Sequence, residues 1–442
     1  GSPRYLVGCI NEIGAKQKAD NVSGLLGEYS LKIFYESRSP KLPQGFLLRI
    51  GIDDFKNINE SHGNEYGDYI LRRTAQCIEE NIGPEQSLFH IVADEFAVVD
   101  FSGGSVETAE KLFHEIKKSI YAFIEQNQYK AVYTVSGGIV ENGDVDNSFE
   151  NAMKLSEFAL SQAKERGKNS CYVFEQKEYE DYLKSRTLLR QLHHAVNNGF
   201  EGFEAYFQPL VNAANGELTG AETLLRFHSP EGGMVSPGEF IPILEESGLI
   251  IPVGRWVLRQ ALDACREWQK ILPEFKVNVN LSYVQVLKSR VLTDVRRIVD
   301  EFGVKPSSVC IELTESGYLE ENERFDKVWN GLKEYGVLLA LDDFGTGYSN
   351  LRCLSDLKPA YIKIDRSFTL KALNREYEYR LLNHIVEMSH SLGLHVCVEG
   401  IETEGELTKA KQTEPDYIQG FLFGKPCSRA EFTQKFFTKQ AG

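Results

Sequence analysis

From Leu192 to Phe437 the chain repeats one rhythm: a short apolar run, a turn, then a stretch with helical spacing. The apolar runs centre on Ala221, Val277, Val309, Leu338, Ile362, Val396 and Ile418, mostly about 20–40 residues apart. That is the length a strand and a returning helix require. Repeated βα units over about 250 residues predict a (β/α)8-type barrel. An open doubly wound sheet is the alternative, but no Gly-rich phosphate fingerprint follows the first strand.

Polar residues interrupt or end these runs. Glu222 stands in Gly-Ala-Glu-Thr-Leu-Leu-Arg, Asn280 in Val-Asn-Val-Asn-Leu-Ser, and Glu312 follows Val-Cys-Ile. Asp342 and Asp343 close Val-Leu-Leu-Ala-Leu, Lys363 interrupts Tyr-Ile-Lys-Ile-Asp, and Glu399 and Gln419 end two further runs. Strand C-termini share one face of a barrel, so these groups are expected to converge there. Five carboxylates and one amide repel unless cations neutralise them, and all-oxygen ligation suits Mg²⁺ or Mn²⁺ rather than zinc. The Asp342–Asp343 pair can reach two ions about 3.5–4 Å apart, the usual arrangement for in-line attack on a phosphodiester. The residues alone leave three readings open: metal-dependent phosphoester chemistry, another metal-dependent barrel enzyme, or barrel-mouth ion pairs. For the last, only Lys363 and Arg226 stand in comparable positions.

At 442 residues the chain exceeds what one hydrophobic core usually serves, so a second domain is expected. Residues 19–175 alternate strands with helices and predict an α+β sandwich on a partly antiparallel sheet. Residues 176–191 are charged, lack Pro and Gly, and predict a stiff connecting helix able to pass a rotation onward. Tyr5 to Lys18 reads as a strand running into a polar helix, and it resembles the exit of a PAS sensor domain. Gly1-Ser2 reads as a cloning remnant, which implies native chain upstream. The net charge of −15 opposes broad binding to nucleic acid or anionic lipid. No apolar run approaches a membrane span, and eight scattered cysteines without metal spacing fit a reduced, cytoplasmic compartment.

Glu222-Thr-Leu-Leu-Arg226 resembles the EAL signature, with Thr223 at its middle alanine. Asn280-Leu-Ser, Glu312-Leu-Thr-Glu315, the run Asp342 to Ser349, Lys363-Ile-Asp365, Glu399-Gly-Ile-Glu402 and Gln419-Gly-Phe-Leu-Phe are similar to the family's other motifs, in order. The resemblance implies a (β/α)8-like barrel that hydrolyses cyclic di-GMP to linear pGpG with two divalent cations. It assigns Glu222, Asn280, Glu312 and Asp342 to the first ion. Asp342 then bridges to the second, which Asp343 and Glu399 complete. Lys363 is expected at the attacking water, with Glu399 a candidate base, Arg226 on a phosphate, and Leu224, Glu402 and Gln419 around the substrate. Glu315 is expected to brace the loop from Asp342 to Ser349. In the family this loop is linked to dimerisation, which implies a homodimer through the domain. Its two glycines, Gly345 and Gly347, are equally compatible with an ordinary tight turn.

Asp53-Asp-Phe-Lys-Asn-Ile-Asn59 with Gly67-Asp68, Asp94-Glu95-Phe96, Val135-Ser-Gly-Gly138 and Ala163-Lys-Glu-Arg-Gly-Lys-Asn169 resemble GGDEF diguanylate cyclases. The signature's two glycines are Val92 and Ala93, whose side chains should obstruct a triphosphate. The family's first metal-binding aspartate is Gly51, and Gly83 and Gln86 stand at the inhibitory motif. Asp94 is left as the main carboxylate ligand, the guanine-contacting positions survive as Asn59 and Asp68, and Lys56 and Lys164 remain to meet phosphates, with Lys168 at a usual arginine. The resemblance therefore implies a degenerate cyclase domain, either a GTP-binding regulator or an inert spacer. Two rivals to the hydrolase reading are a non-catalytic cyclic di-GMP receptor and a bifunctional cyclase–hydrolase.

Overall fold

A computed structural model describes residues 19–38, 45–127, 132–144, 148–314, 323–345 and 351–438. The PAS-like segment, Tyr5 to Lys18, lies outside them, as do Glu315 and residues 346–350. The chain divides into two compact units, Gly1–Leu183 and Lys184–Gly442.

The first unit is built on five strands: β1 (Phe46–Ile52), β2 (Gln86–Val92), β3 (Glu95–Asp100), β4 (Val135–Glu141) and β5 (Cys171–Val173). Their order is β2-β3-β1-β4-β5, antiparallel except for β4–β5. β1 is apolar apart from Arg49 and buried throughout. Arg49 donates to Glu95 at 2.7 Å, so its buried charge is met on the neighbouring strand. Helices Val106–Gln126 and Phe149–Glu165 present apolar faces to the sheet. The second of these comes so close to β4 that a Cβ on Gly138 would lie 2.3 Å from Leu160 N, a contact only glycine permits.

The second unit is a closed barrel. Its strands are β6 (Phe203–Asn212), β7 (Leu218–His228), the two-residue β8 (Met234–Val235), β9 (Lys276–Asn280), β10 (Val309–Thr314), β11 (Leu338–Phe344), β12 (Tyr361–Ile364), β13 (His395–Val398), β14 (Tyr417–Gln419) and the two-residue β15 (Cys427–Ser428). β7, β9, β10, β11, β12, β13 and β14 run parallel in that order, and β6 closes the ring between β14 and β7, antiparallel to both. The (β/α)8-type expectation is met with one strand reversed. The seven parallel strands are the seven apolar runs read from the sequence. The apolar content of β10, β11, β12 and β13 reflects burial on both faces, against the barrel interior and against the helices, whereas β9 alternates Val with Asn.

The connecting helix spans Gln176–Asn197, six residues further than the sequence indicated, because Leu192 and Ala195 are buried in the barrel's core. Among the described residues no helix is long and apolar enough to cross a membrane. The six described cysteines are free thiols, four of them buried.

Candidate active site at the mouth of the barrel

Strand alternation aims the key side chains inward. Glu222 and Leu224, two apart on β7, both line a cavity of about 250 Å³ at the C-terminal ends of the parallel strands. Register brings the others alongside. Glu312 on β10 is paired with Asn280 on β9, and Lys363 on β12 is flanked by Asp342 on β11 and by Glu399, just past the end of β13. Asp343, Glu399, Glu402 and Gln419 line the same cavity.

At its floor, Lys363 is 2% exposed. Its Nζ donates to Glu222 Oε2 at 3.0 Å and Glu312 Oε2 at 2.9 Å. It also lies 2.8 Å from Glu399 Oε1 and 3.3 Å from Asp342 Oδ1. One ammonium thus faces four carboxylates. Burial opposes the charge of every one of them, and the outcome depends on how many donors each receives. Glu222 accepts from Asn280 at 2.9 Å and Gln419 at 2.8 Å besides Lys363; these outweigh its burial and hold it below the usual carboxylate range. Glu312, 0% exposed, has only Asn278 at 2.7 Å and Lys363, and burial pushes it well upward. Asp342 is also raised by burial. Burial and the neighbouring carboxylates raise Glu399 to about 8 and Asp343 to about 6. The protein's own donors do not balance this much negative charge.

Asp342 and Asp343 are consecutive, and regular strand pleating would point them to opposite faces. Both line the cavity because Asp343 adopts the left-handed conformation, φ 56°, at a break in the β11–β12 register between Leu341 and Phe344.

The donor set fits hard divalent cations. Glu222, Glu312 and Asp342 each offer an oxygen within 4.8 Å of the others. Gln419 Oε1 is buried with no hydrogen-bond donor. An orphaned buried oxygen is costly unless something electropositive meets it.

Arg226 is placed differently from the other expected residues. Its guanidinium lies over the Tyr206 ring and donates to the Leu225 carbonyl at 2.9 Å, outside the residues lining the cavity. Glu315 lies outside the described residues. Sequence reasoning missed Asn278, which shares a strand face with Asn280 and was legible in the Val-Asn-Val-Asn alternation. It also missed Gln208, which accepts from Gln419 at 3.1 Å, and Arg366, which pairs with Glu402.

In the first unit, Ala93 takes a left-handed turn at φ 52° and Val92 is 56% exposed at the β2–β3 tip. A Cβ on Gly51 would meet Lys164 Nζ at 2.8 Å, so a lysine ammonium fills the space where the resemblance expects a carboxylate. Lys164 Nζ lies 3.8 Å from Asp94, whose carboxyl burial raises. Lys168 binds both oxygens of Asp54 at 2.8 Å. Asp53 is occupied by Thr134, Ser136 and the Asn169 amide. Asn59 packs over Gly67, where a Cβ would lie 1.8 Å from Asn59 Oδ1. Asp68 is half-buried beside it, and Lys56 is exposed with Glu60 at 3.7 Å.

Comparison with known proteins agrees with this geometry. Residues 189–426 match the EAL domain, and residues 30–170 match the diguanylate cyclase, GGDEF domain. An uncharacterized protein y4lL of Sinorhizobium fredii is 33% identical over 410 residues, covering 92% of this chain and 49% of its own. The bifunctional diguanylate cyclase/cyclic di-GMP phosphodiesterase MucR of Pseudomonas aeruginosa is 29% identical over 381 residues, 86% of this chain and 55% of its own. The solved structure described as the PaMucR phosphodiesterase in its c-di-GMP complex covers 56% of this chain and 99% of its own, at 32% identity and a TM-score of 0.52. The chain spans about half the length of the curated relatives it matches. With its barrel, its ring of mouth carboxylates and more than half its length matched, the chain belongs to the EAL domain family and carries a GGDEF domain ahead of the EAL domain.

Proposed function

We propose that the second unit hydrolyses cyclic di-GMP to linear pGpG. The observation that carries this reading is the gathering of Glu222, Glu312, Asp342 and Glu399 around Lys363 at the barrel mouth. Glu222, Asn280, Glu312 and Asp342 would hold one divalent cation, and Asp342, Asp343 and Glu399 a second, Mg²⁺ or Mn²⁺. Two such cations would supply Lewis-acid activation of water and charge screening at the phosphate.

The chain's own groups do the rest. The Lys363 ammonium orients the attacking water and meets developing phosphoryl charge in a site shielded from solvent. Gln419 and Asn280 fix Glu222 by hydrogen bonds. Water oxygen bonds to phosphorus, the P–O3′ bond breaks, and the water's proton ends on the departing 3′ oxygen. Glu399 is a candidate to carry that proton. Leu224, Glu402 and Gln419 contact the substrate. Arg226 would reach a phosphate by leaving Tyr206, and Glu315 would brace the loop after Asp343. The same reading includes a homodimer through this domain and a cytoplasmic setting, in keeping with the free thiols.

For the first unit we propose a regulatory module without cyclase activity that binds GTP weakly through Lys56, Asn59, Asp68, Asp94 and Lys164. Val92, Ala93 and the Lys164-filled space beside Gly51 favour this over a bifunctional enzyme. Chromatography of nucleotides after incubation of cyclic di-GMP with protein and Mg²⁺ or Mn²⁺, with and without EDTA, tests the hydrolase. Cation-dependent pGpG supports it, and intact cyclic di-GMP leaves the receptor reading. Incubation with GTP alone tests for cyclase, and calorimetric titration of GTP tests the regulator: no heat at millimolar nucleotide removes it.

A further inference from the structure

Glu312 is the most buried of the mouth acids, 0% exposed, and both of its carboxylate oxygens are held. Oε2 accepts from Lys363 at 2.9 Å, and Oε1 accepts from Asn278 Nδ2 at 2.7 Å. Asn278 lies on β9 two residues before Asn280, so the two amides share a face. The register pairs Asn278 with Cys310 on β10 and with Glu222 on β7. Its bond therefore climbs two residues to reach Glu312. The bond between Glu222 and Asn280 climbs by the same amount from β7 to β9, the slant that strand tilt imposes on a barrel. One strand thus carries two amides, each fixing an acid on a neighbouring strand.

Which way the Asn278 amide faces follows from its partner, because an ionised carboxylate only accepts and must meet the NH2 end. Held on both oxygens, the Glu312 carboxylate cannot swivel. Its Oε2 stays beside Lys363, the ammonium it shares with Glu222 and Asp342. Asn278 also walls a hollow of about 20 Å³, together with Lys363, Lys276, Thr219, Tyr361 and Tyr417. Roughly 10–15 Å³ suffices for one water where polar partners surround it, and these side chains are such partners.

We infer that Asn278 is a positioning residue for the first cation: by holding Glu312 Oε1 it keeps the other carboxylate oxygen aimed at the ion. The inference rests on the two-cation reading above. Hydrogen-bond partners of metal-binding side chains typically account for about 10–100-fold in metal affinity. A buried amide that merely fills space would act through packing instead, and two variants separate these roles. Asn278→Leu keeps the branched outline but offers no donor and excludes water. Asn278→Ala opens the position onto the hollow, where a water can bring a donor back to Glu312.

The test is Mn²⁺ titration of the full chain, followed by the electron paramagnetic resonance of free Mn²⁺, for wild type, Asn278→Leu and Asn278→Ala. Thermal melts in EDTA run alongside show that each protein is folded. Asn278→Leu should weaken one Mn²⁺ site about tenfold, and Asn278→Ala should weaken it less. In the pGpG assay, saturating Mn²⁺ should restore kcat in both variants, with KM for cyclic di-GMP unchanged. Equal Mn²⁺ affinity in all three proteins overturns the positioning role alone. So does a greater loss in Asn278→Ala than in Asn278→Leu, the order that an opened cavity would give. A wild type that binds no Mn²⁺ at millimolar concentration overturns the cation reading, and this inference with it.

Discussion

Asp343 sits next to Asp342 in sequence yet shares its cavity, because a single left-handed residue at φ 56° reverses the strand's alternation. This conformation costs an ordinary L-residue about 1–2 kcal/mol and asparagine less. Asp343→Val should therefore lose both turnover and about 1–2 kcal/mol of stability. Asp343→Asn should lose turnover while melting like wild type, and Asp343→Gly should match or exceed wild-type stability while staying inactive. Thermal melts beside the pGpG assay check this, and an active Asp343→Gly would remove the carboxylate's role in the site.

Lys363 is the described cation that the four mouth carboxylates share. Removing one partner of a buried ion pair costs about 3–5 kcal/mol. In EDTA, Lys363→Met should unfold at lower denaturant concentration by about that much. Mn²⁺ should recover part of the loss, since bound cations would neutralise the same oxygens. Turnover should drop by about 10²–10³ even with Mn²⁺. Equal denaturation midpoints for variant and wild type in EDTA would contradict the shared-ammonium arrangement.

Thr223, at the alanine of the resembled signature, points away from Glu222 and Leu224 on the opposite face of β7. It is buried, and its hydroxyl has no hydrogen-bond partner. An unmade buried hydrogen bond costs about 1–3 kcal/mol. Thr223→Val keeps the shape and should stabilise the protein by about 1 kcal/mol without altering kcat or KM. A destabilised Thr223→Val would mean that the hydroxyl is satisfied in solution.

At the other end of the barrel, Asp416 accepts from His395 Nδ1 and His390 Nε2, both at 2.9 Å, and from Val396 N at 2.8 Å. Burial opposes its charge, but the His395, Val396 and His390 contacts outweigh it, so its carboxyl lies below the ordinary 3.8. A depressed folded value means stability that is present above about pH 4 and lost as pH falls through the folded value. Asp416→Asn should melt lower at pH 7 and show a shallower loss of stability below pH 4 than wild type. Melting curves from pH 2.5 to 7 would reveal it, and parallel curves would count against the linkage.

The barrel was legible because its parallel strands centre on short apolar runs, each carrying a polar residue within the run or just after it. The eighth strand was not. Phe203–Asn212 mixes Glu204, Tyr206, Gln208 and Pro209 into its apolar residues, and an internal proline argues against a strand on sequence grounds. Glu222, Glu312 and Asp342 were readable from their position in the runs. Gln208 was hidden because its partners, Gln419 and Gly424, are more than 200 positions away. The placement of Asp343 depends on a backbone dihedral that no side-chain pattern records.

The reversed first strand also decides where the chain enters the barrel. β6 starts at Phe203, opposite Phe227 near the far end of β7, on the rim that bears the acids. Helix Gln176–Asn197 reaches that rim through the short glycine-bearing turn before Phe203, and Gln191 accepts a bond from Ser229 just past β7. In an all-parallel barrel an upstream helix would lead in at the closed bottom, and a displacement would have to cross the whole cylinder to be felt. Here the helix joins the barrel at the doorway itself.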